Sequence, residues 1–177
     1  LQDNFKVNKL EIFILEFACL GAYKPLDSYS WSKKIMNIND VEDLVKQQII
    51  NPKIEKNIRK NIISKEIKNI VSLKVKNQYE NSPYPRWEKI ALKNKPGKVG
   101  NFFKNLNLRL DEKIINNWDS VDVLVAGCGT GQHAITTATK YQKANVTALD
   151  LSAHSLSYAK RKADELEIKN INFIQMD

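Results

Sequence analysis

The stretch Val121-Asp122-Val123-Leu124-Val125-Ala126-Gly127-Cys128-Gly129-Thr130-Gly131-Gln132 decides the fold of this 177-residue chain. Its apolar run, Val121 to Ala126, reads as a short strand buried on both faces. Three glycines end the run, and Gln132 to Tyr141 reads as a helix. Downstream the same pattern repeats. Ala144 to Leu149 is a second apolar strand that ends at Asp150. Ser152 is placed to cap a helix through Leu166, with Ala153, Leu156, Ala159, Ala163 and Leu166 on one side. Asn170 to Met176 is a third strand, ending at Asp177. The order β-α-β-α-β implies an α/β unit with a parallel sheet and right-handed crossovers.

Upstream the pattern is helical. Lys6 to Tyr23 spaces Leu10, Phe13, Ile14, Phe17 and Leu20 as one buried stripe, and Pro25 stops it. Asn39 or Asp40 can cap a second helix, with Val41, Leu44, Val45 and Ile49 inward and Asn51-Pro52 as its stop. Ile54, Ile58 and Ile62 mark a third. A fourth runs from Lys65 to Tyr79, with Ser64 a candidate cap but no capping box. In Asn81-Ser82-Pro83-Tyr84-Pro85-Arg86-Trp87, two prolines exclude helix. The Tyr79, Tyr84, Arg86 and Trp87 side chains crowd this loop, as a latch onto the next domain or as a lid over a ligand. Short helices are expected around Ile90–Leu92, Val99–Leu106 and Glu112–Trp118. The expected organisation is a helical region over residues 1–77, a linker or lid with short helices over 78–119, and the α/β domain over 120–177.

Composition narrows the function. The chain is 42% hydrophobic and 27% charged, as soluble domains are. No apolar run reaches the roughly 20 residues of a membrane span, and no signal peptide is visible. The net charge of +8 comes mostly from lysines, 24 of the 28 basic residues, beside 19 Asn and 19 Ile. All three residue types share A/T-rich codons, so genome composition accounts for the charge more simply than nucleic-acid binding does. Cys19 and Cys128 are too few and too far apart for a disulfide framework or a zinc cluster, which fits a reducing cytoplasm. No metal constellation is present.

A strand feeding straight into a helix aims the first helical N–H groups above the sheet edge. Glycines let a ligand approach that backbone closely. Asp150 lies 19 positions beyond Gly131, beside the loop, where a carboxylate can accept both ribose hydroxyls of a nucleoside. The dinucleotide fingerprint G-x-G-x-x-G would need glycine at Gln132, and the Lys-Ser/Thr of a phosphate-binding loop is absent. The loop suits a ligand without a pyrophosphate.

Val123 to Gln132, Leu149-Asp150-Leu151-Ser152 and Phe173 to Asp177 resemble the first three motifs of class I S-adenosylmethionine-dependent methyltransferases. The resemblance implies the N-terminal part of a Rossmann-like sheet and S-adenosylmethionine as cofactor. In that family the glycine loop cups the cofactor's methionine part, an acid holds the ribose, and a later acid meets the adenine amino group. Those roles fall on Gly127, Gly129 and Gly131, on Asp150, and on Asp177, with Cys128, Thr130, Leu151 and Met176 beside them. Gln78 to Trp87, followed by Gly127 to Ile135, looks like a bacterial subgroup whose methyltransferase domain often follows tetratricopeptide repeats.

Two departures stand out. Val125 occupies the place of a family acid. The resemblance covers three of seven strands, so the expectation is a truncated chain that binds cofactor weakly, with catalytic residues beyond residue 177 and none named here. Rival readings are a nicotinamide-dinucleotide oxidoreductase domain and a noncatalytic protein-interaction module. The methyl acceptor and the oligomeric state are not legible. Cys128 reads as a small residue at a tight turn, His133 as structural or cofactor-adjacent, and His154 as surface. Lys160-Arg161-Lys162 reads as a solvated face, with Arg161 and Glu165 an exposed pair.

Overall fold

The computed structural model describes residues 9–35, 41–81, 83–92, 95–104, 106, 111, 113, 115, 118 and 120–177. The chain forms two compact units, Leu1–Lys56 and Asn57–Asp177.

In the first unit, α1 (Lys9–Tyr23) is followed by two short 3-10 turns, Leu26–Ser28 and Ser30–Ile35. Phe17, Leu26, Val41, Val45 and Ile49 form its buried core, with Ile14, Tyr29 and Trp31 packed against them. The stripe on α1 is narrower than its spacing suggests, since Phe13 and Leu20 stay exposed. Asn39 and Asp40, the expected caps, lie outside the described residues.

Asn51-Pro52 does not stop the second helix. α2 (Glu42–Val45) widens into a π turn, Lys46–Ile50, and continues as α3 (Asn51–Arg59). The Asn51 N–H reaches back five residues to the Lys46 carbonyl. A wide turn at this point accommodates the ring and missing N–H of Pro52, which would otherwise break the ladder. The second and third expected helices are therefore one, and Ile54 on it faces solvent.

The second unit holds a four-stranded parallel sheet of order β1-β4-β3-β2. β2 (Val121–Ala126), β3 (Ala144–Asp150) and β4 (Ile171–Gln175) fall where the apolar runs place them. β1 (Ile63–Ser64) is an addition that no sequence period signals. It pairs Ile63 with Ile174 and Ser64 with Gln175. The chain leaves it through a Lys65 N–H to Gln175 carbonyl bond of 2.8 Å. This pairing, together with a cap further on, moves the start of the next helix. α4 spans Ile70–Asn81 rather than 65–79. Asn69 caps it, its Oδ1 accepting from the Val71 and Ser72 N–H groups at 2.8 and 3.2 Å.

α5 (Val99–Lys104) forms as expected. Ile90–Leu92 is not helical, and both apolar side chains pack on the core from an irregular segment. Most of Glu112–Trp118 lies outside the described residues.

α6 (Gln132–Lys140) and α7 (Ala153–Glu165) follow β2 and β3. Ser152 caps α7, its Oγ accepting from the Ser155 N–H at 3.1 Å. Strand order advances in one direction, so right-handed crossovers place both helices on one face. Val125, Val146, Ala148 and Phe173 meet Ile135, Leu156 and Ala159 there in one core. Burial of β2 on both faces is not observed. Val125 is buried, while Leu124 on the other face is 64% exposed. Among the described residues no helix is long and apolar enough to cross a membrane.

Candidate functional site

The carboxyl ends of β2, β3 and β4 open into one cavity of about 700 Å3. Its position is the one expected for ligands of open α/β sheets. The volume lies within the roughly 300–1,000 Å3 of small-molecule sites.

The glycine loop forms its floor. Gly127, Gly129 and Gly131 all have positive φ, at 65°, 53° and 84°. Their surroundings differ. A Cβ at Gly127 or Gly129 would meet nothing within 4 Å, whereas one at Gly131 would stand 2.5 Å from the Ala159 Cβ. Gly127 and Gly129 thus leave space over the loop. Gly131 lets α7 pack closely, the task given to the third glycine of a dinucleotide fingerprint, and Gln132 on the cavity wall shows that position to be filled.

Asp150 fixes the loop. Its Oδ2 accepts from the Gly129 N–H at 2.8 Å and its Oδ1 from the Ser152 N–H at 2.8 Å. The Cys128 N–H donates to the Leu149 carbonyl at 2.8 Å, so β3 holds the loop twice. Cys128 is buried, and its thiol is pushed up to about 12, first by burial and then by the Asp150 charge. That direction is opposite to the lowered value of an activated cysteine and agrees with Cys128 as a small residue at a tight turn.

The residues singled out from sequence mostly converge. Gly127, Cys128, Gly129, Thr130, Asp150, Leu151, Met176 and Asp177 all line the cavity, and Gly131 packs behind it. The aromatic loop divides. Tyr79 and Tyr84 line the cavity, Tyr84 being 77% exposed. Trp87 is buried as a latch. Its Nε1–H donates to the Thr130 carbonyl at 3.0 Å, and its ring stands edge-on to Tyr158, centroids 6.1 Å apart. The Thr130 hydroxyl donates to the Pro85 carbonyl at 2.6 Å, and the Tyr158 hydroxyl to the Trp87 carbonyl. Arg86 lies over the Tyr158 ring, 4.9 Å from its centroid. The two tyrosines thus face the cavity, while Trp87 packs as a latch.

Val75, Pro85, Gln132, His133 and Ser155 also line the cavity and were not singled out as ligand contacts, except that His133 was read as cofactor-adjacent. Helix positions one turn from the loop were the available signal for Gln132 and His133. Nothing local marks Val75, which reaches the cavity through the placement of α4.

Three surface readings are corrected. His154 is half-buried, its Nδ1 2.8 Å from the Glu80 carboxylate and its Nε2 against Arg59. Arg161 is buried, pairing with Glu165 and lying over Tyr158 at 4.8 Å. Lys162 donates to the Glu88 carbonyl at 2.9 Å and lies over the Trp87 ring at 5.2 Å. Long basic side chains here cover the latch with their stems. Only Lys160 faces solvent as expected. Glu165 titrates below its ordinary value: burial pushes it up, and Arg161 and Lys162 outweigh that. Among the described residues no group of three His, Cys, Asp or Glu is placed to hold a metal ion.

Fold and cavity together define an α/β domain with a cavity open at its strand ends, where open parallel sheets place their ligands. Within that class, residues 123–177 match the family model described as a methyltransferase domain. A release factor glutamine methyltransferase of Chlorobaculum tepidum is 39% identical over 70 residues, 39% of this chain and 24% of the relative. The chain therefore matches about a quarter of that protein's length. Among solved structures, an S-adenosylmethionine-dependent methyltransferase from Aquifex aeolicus aligns at 22% identity and TM-score 0.31, over 46% of this chain and 48% of that one. Geranyl diphosphate C-methyltransferase from Streptomyces coelicolor A3(2) aligns at 14% and 0.38, over 63% and 48%.

Proposed function

We propose that the cavity of residues 57–177 binds S-adenosylmethionine and that the protein is an S-adenosylmethionine-dependent methyltransferase. The supporting observation is the coincidence of the family match over 123–177 with open space above Gly127 and Gly129, inside a cavity bearing Asp150 and Asp177.

The residues fit that cofactor. The floor offers bare backbone to its methionine part at Gly127 to Gly131. Each Asp150 oxygen already accepts one N–H and keeps a further acceptor site for the ribose hydroxyls. Leu151 and Met176 are apolar flanks for the adenine, and the Asp177 carboxylate can accept from its amino group. The described lining contains no Lys or Arg, so it suits a cofactor without phosphates and disfavours a dinucleotide. When bound, the sulfonium supplies an already activated methyl group.

The chain's own contribution is placement and exclusion. Cys128, protonated in its buried setting, lines the site without offering a thiolate that would compete for the methyl group. Tyr79 and Tyr84 flank the cavity as a lid, and Arg86 and Trp87 hold that lid through Tyr158 and Thr130. The free cysteines suit a cytoplasmic location.

Competitive titration separates the readings. S-adenosylhomocysteine should bind saturably, NADH should not displace it, and Asp150→Ala should weaken it at least tenfold, the loss of charge-assisted hydrogen bonds worth about 1.5–3 kcal/mol. The affinity also measures the expected weakness of binding. Displacement by NADH, or binding indifferent to Asp150→Ala, would overturn the proposal.

A further inference from the structure

Gln175 is the last residue of β4, buried, and does not line the cavity. Its amide is fully engaged. Nε2 donates to the Leu151 carbonyl at 2.8 Å and, more weakly, to Glu80 Oε1 at 3.5 Å. Its Oε1 accepts from the Ser64 hydroxyl at 2.7 Å. Four elements meet there: β1, the turn after β3, α4 and β4. The orientation of the amide is forced, because Leu151 and Glu80 present only acceptors.

Glu80 carries the network outward. Its Oε1 accepts from the Ala153 N–H at the start of α7 at 2.6 Å, and its Oε2 faces His154 at 2.8 Å. The neighbouring Tyr79 carbonyl accepts from the Ser152 hydroxyl at 3.3 Å. Leu151, Met176 and Tyr79 are cavity walls, and each is a backbone neighbour of a residue in this network or a direct partner of it. A buried amide satisfied on both ends defines one arrangement of the groups around it.

Resting on the cofactor reading above, we infer that Gln175 is a positioning residue for the nucleoside end of the site. It holds the Leu151 turn at a set distance from the Met176–Asp177 end of β4, and it ties the α4 wall to both through Glu80. The glycine floor is held through Asp150, Leu149 and Trp87; Asp150 faces Gln175 along the strand ladder, while the Gln175 amide bonds go instead to Leu151, Glu80 and Ser64.

The test compares two ligands across variants. S-adenosylhomocysteine and 5′-methylthioadenosine share the nucleoside, and only the first reaches the glycine floor with an amino-acid tail. Gln175→Leu keeps the size and removes the amide. It should weaken both ligands by the same factor, about five- to tenfold, as the loss of one or two buried hydrogen bonds implies. General loosening of the domain would weaken S-adenosylhomocysteine more than 5′-methylthioadenosine. Unequal loss, or no loss in a folded variant, overturns the inference. If Gln175→Leu does not fold, Ser64→Ala gives the same reading with about a threefold equal loss expected, and unchanged affinity for both ligands overturns it. Failure of the unaltered protein to bind S-adenosylhomocysteine would instead overturn the cofactor reading, and this inference with it.

Discussion

The two sides of the cavity are made of different material. The floor, Gly127 to Gly131, offers backbone, and its shape is set by hydrogen bonds to Asp150, Leu149 and the Trp87 latch. The opposite wall offers side chains, Val75, Tyr79 and Tyr84, and is anchored at one remove through Glu80 and Pro85. A backbone floor tolerates almost no substitution, because each glycine there has positive φ. A side-chain wall can change without disturbing the sheet. The first suits an invariant part of a ligand and the second a variable part.

That contrast can be broken most severely at Gly131. A valine there adds a Cβ 2.5 Å from Ala159 at a φ of 84°. Chemical denaturation should show a loss of about 3 kcal/mol; a fold-neutral Gly131→Val would mean that the loop is not the rigid side. Next in size is Asp150→Ala, which frees the Gly129 and Ser152 N–H groups and should cost about 2 kcal/mol. Trp87→Phe keeps an aromatic ring, though a smaller one, and loses the bond to the Thr130 carbonyl, so a destabilisation of about 1 kcal/mol or somewhat more is expected by the same measurement.

Glu80 tests the anchor of the wall through pH. Burial alone would raise its pKa, yet the His154 side chain and the Ala153 N–H outweigh it, and the folded value lies below the ordinary 4.5. A lowered carboxyl contributes stability above the unfolded value and loses it as pH falls through the folded one. The thermal-stability gap between the unaltered protein and Glu80→Gln should be full above pH 4.5 and close below it. The smallest effect belongs to Tyr84. At 77% exposure, Tyr84→Ala should change stability by under about 0.5 kcal/mol while weakening ligand binding a few-fold. A large stability loss would place Tyr84 with the floor.

The same division explains what could be read in advance. β2 to β4 and their helices obey local rules: apolar runs bounded by turn residues, a Ser152 cap, glycines at positive φ. Their boundaries agree with the sequence to within a residue or two. Residues 41–81 obey long-range ones. Ser64 has the look of a cap, but Gln175, 111 residues away, draws it into the sheet. Asn51-Pro52 has the look of a stop, and a π turn absorbs it. Lys160-Arg161-Lys162 gives no local sign that only one member faces water, since Tyr158 and Trp87 decide that. For the site, the residues flanking the strand ends were legible because strand ends share an edge in any parallel sheet. Val75 and Pro85 were not, because their place depends on how α4 and the proline loop pack, and the bonds of Gln175 were not, because they depend on β1 and α4 meeting the end of β4.

The most direct test of the account is to irradiate the protein with S-adenosylmethionine carrying a labelled methyl group and to map the labelled peptides. The account predicts label within residues 126–133, 149–155 or 75–85, abolished by excess S-adenosylhomocysteine and unaffected by NADH. Label confined to residues 9–56, or label that excess S-adenosylhomocysteine fails to remove, would contradict it.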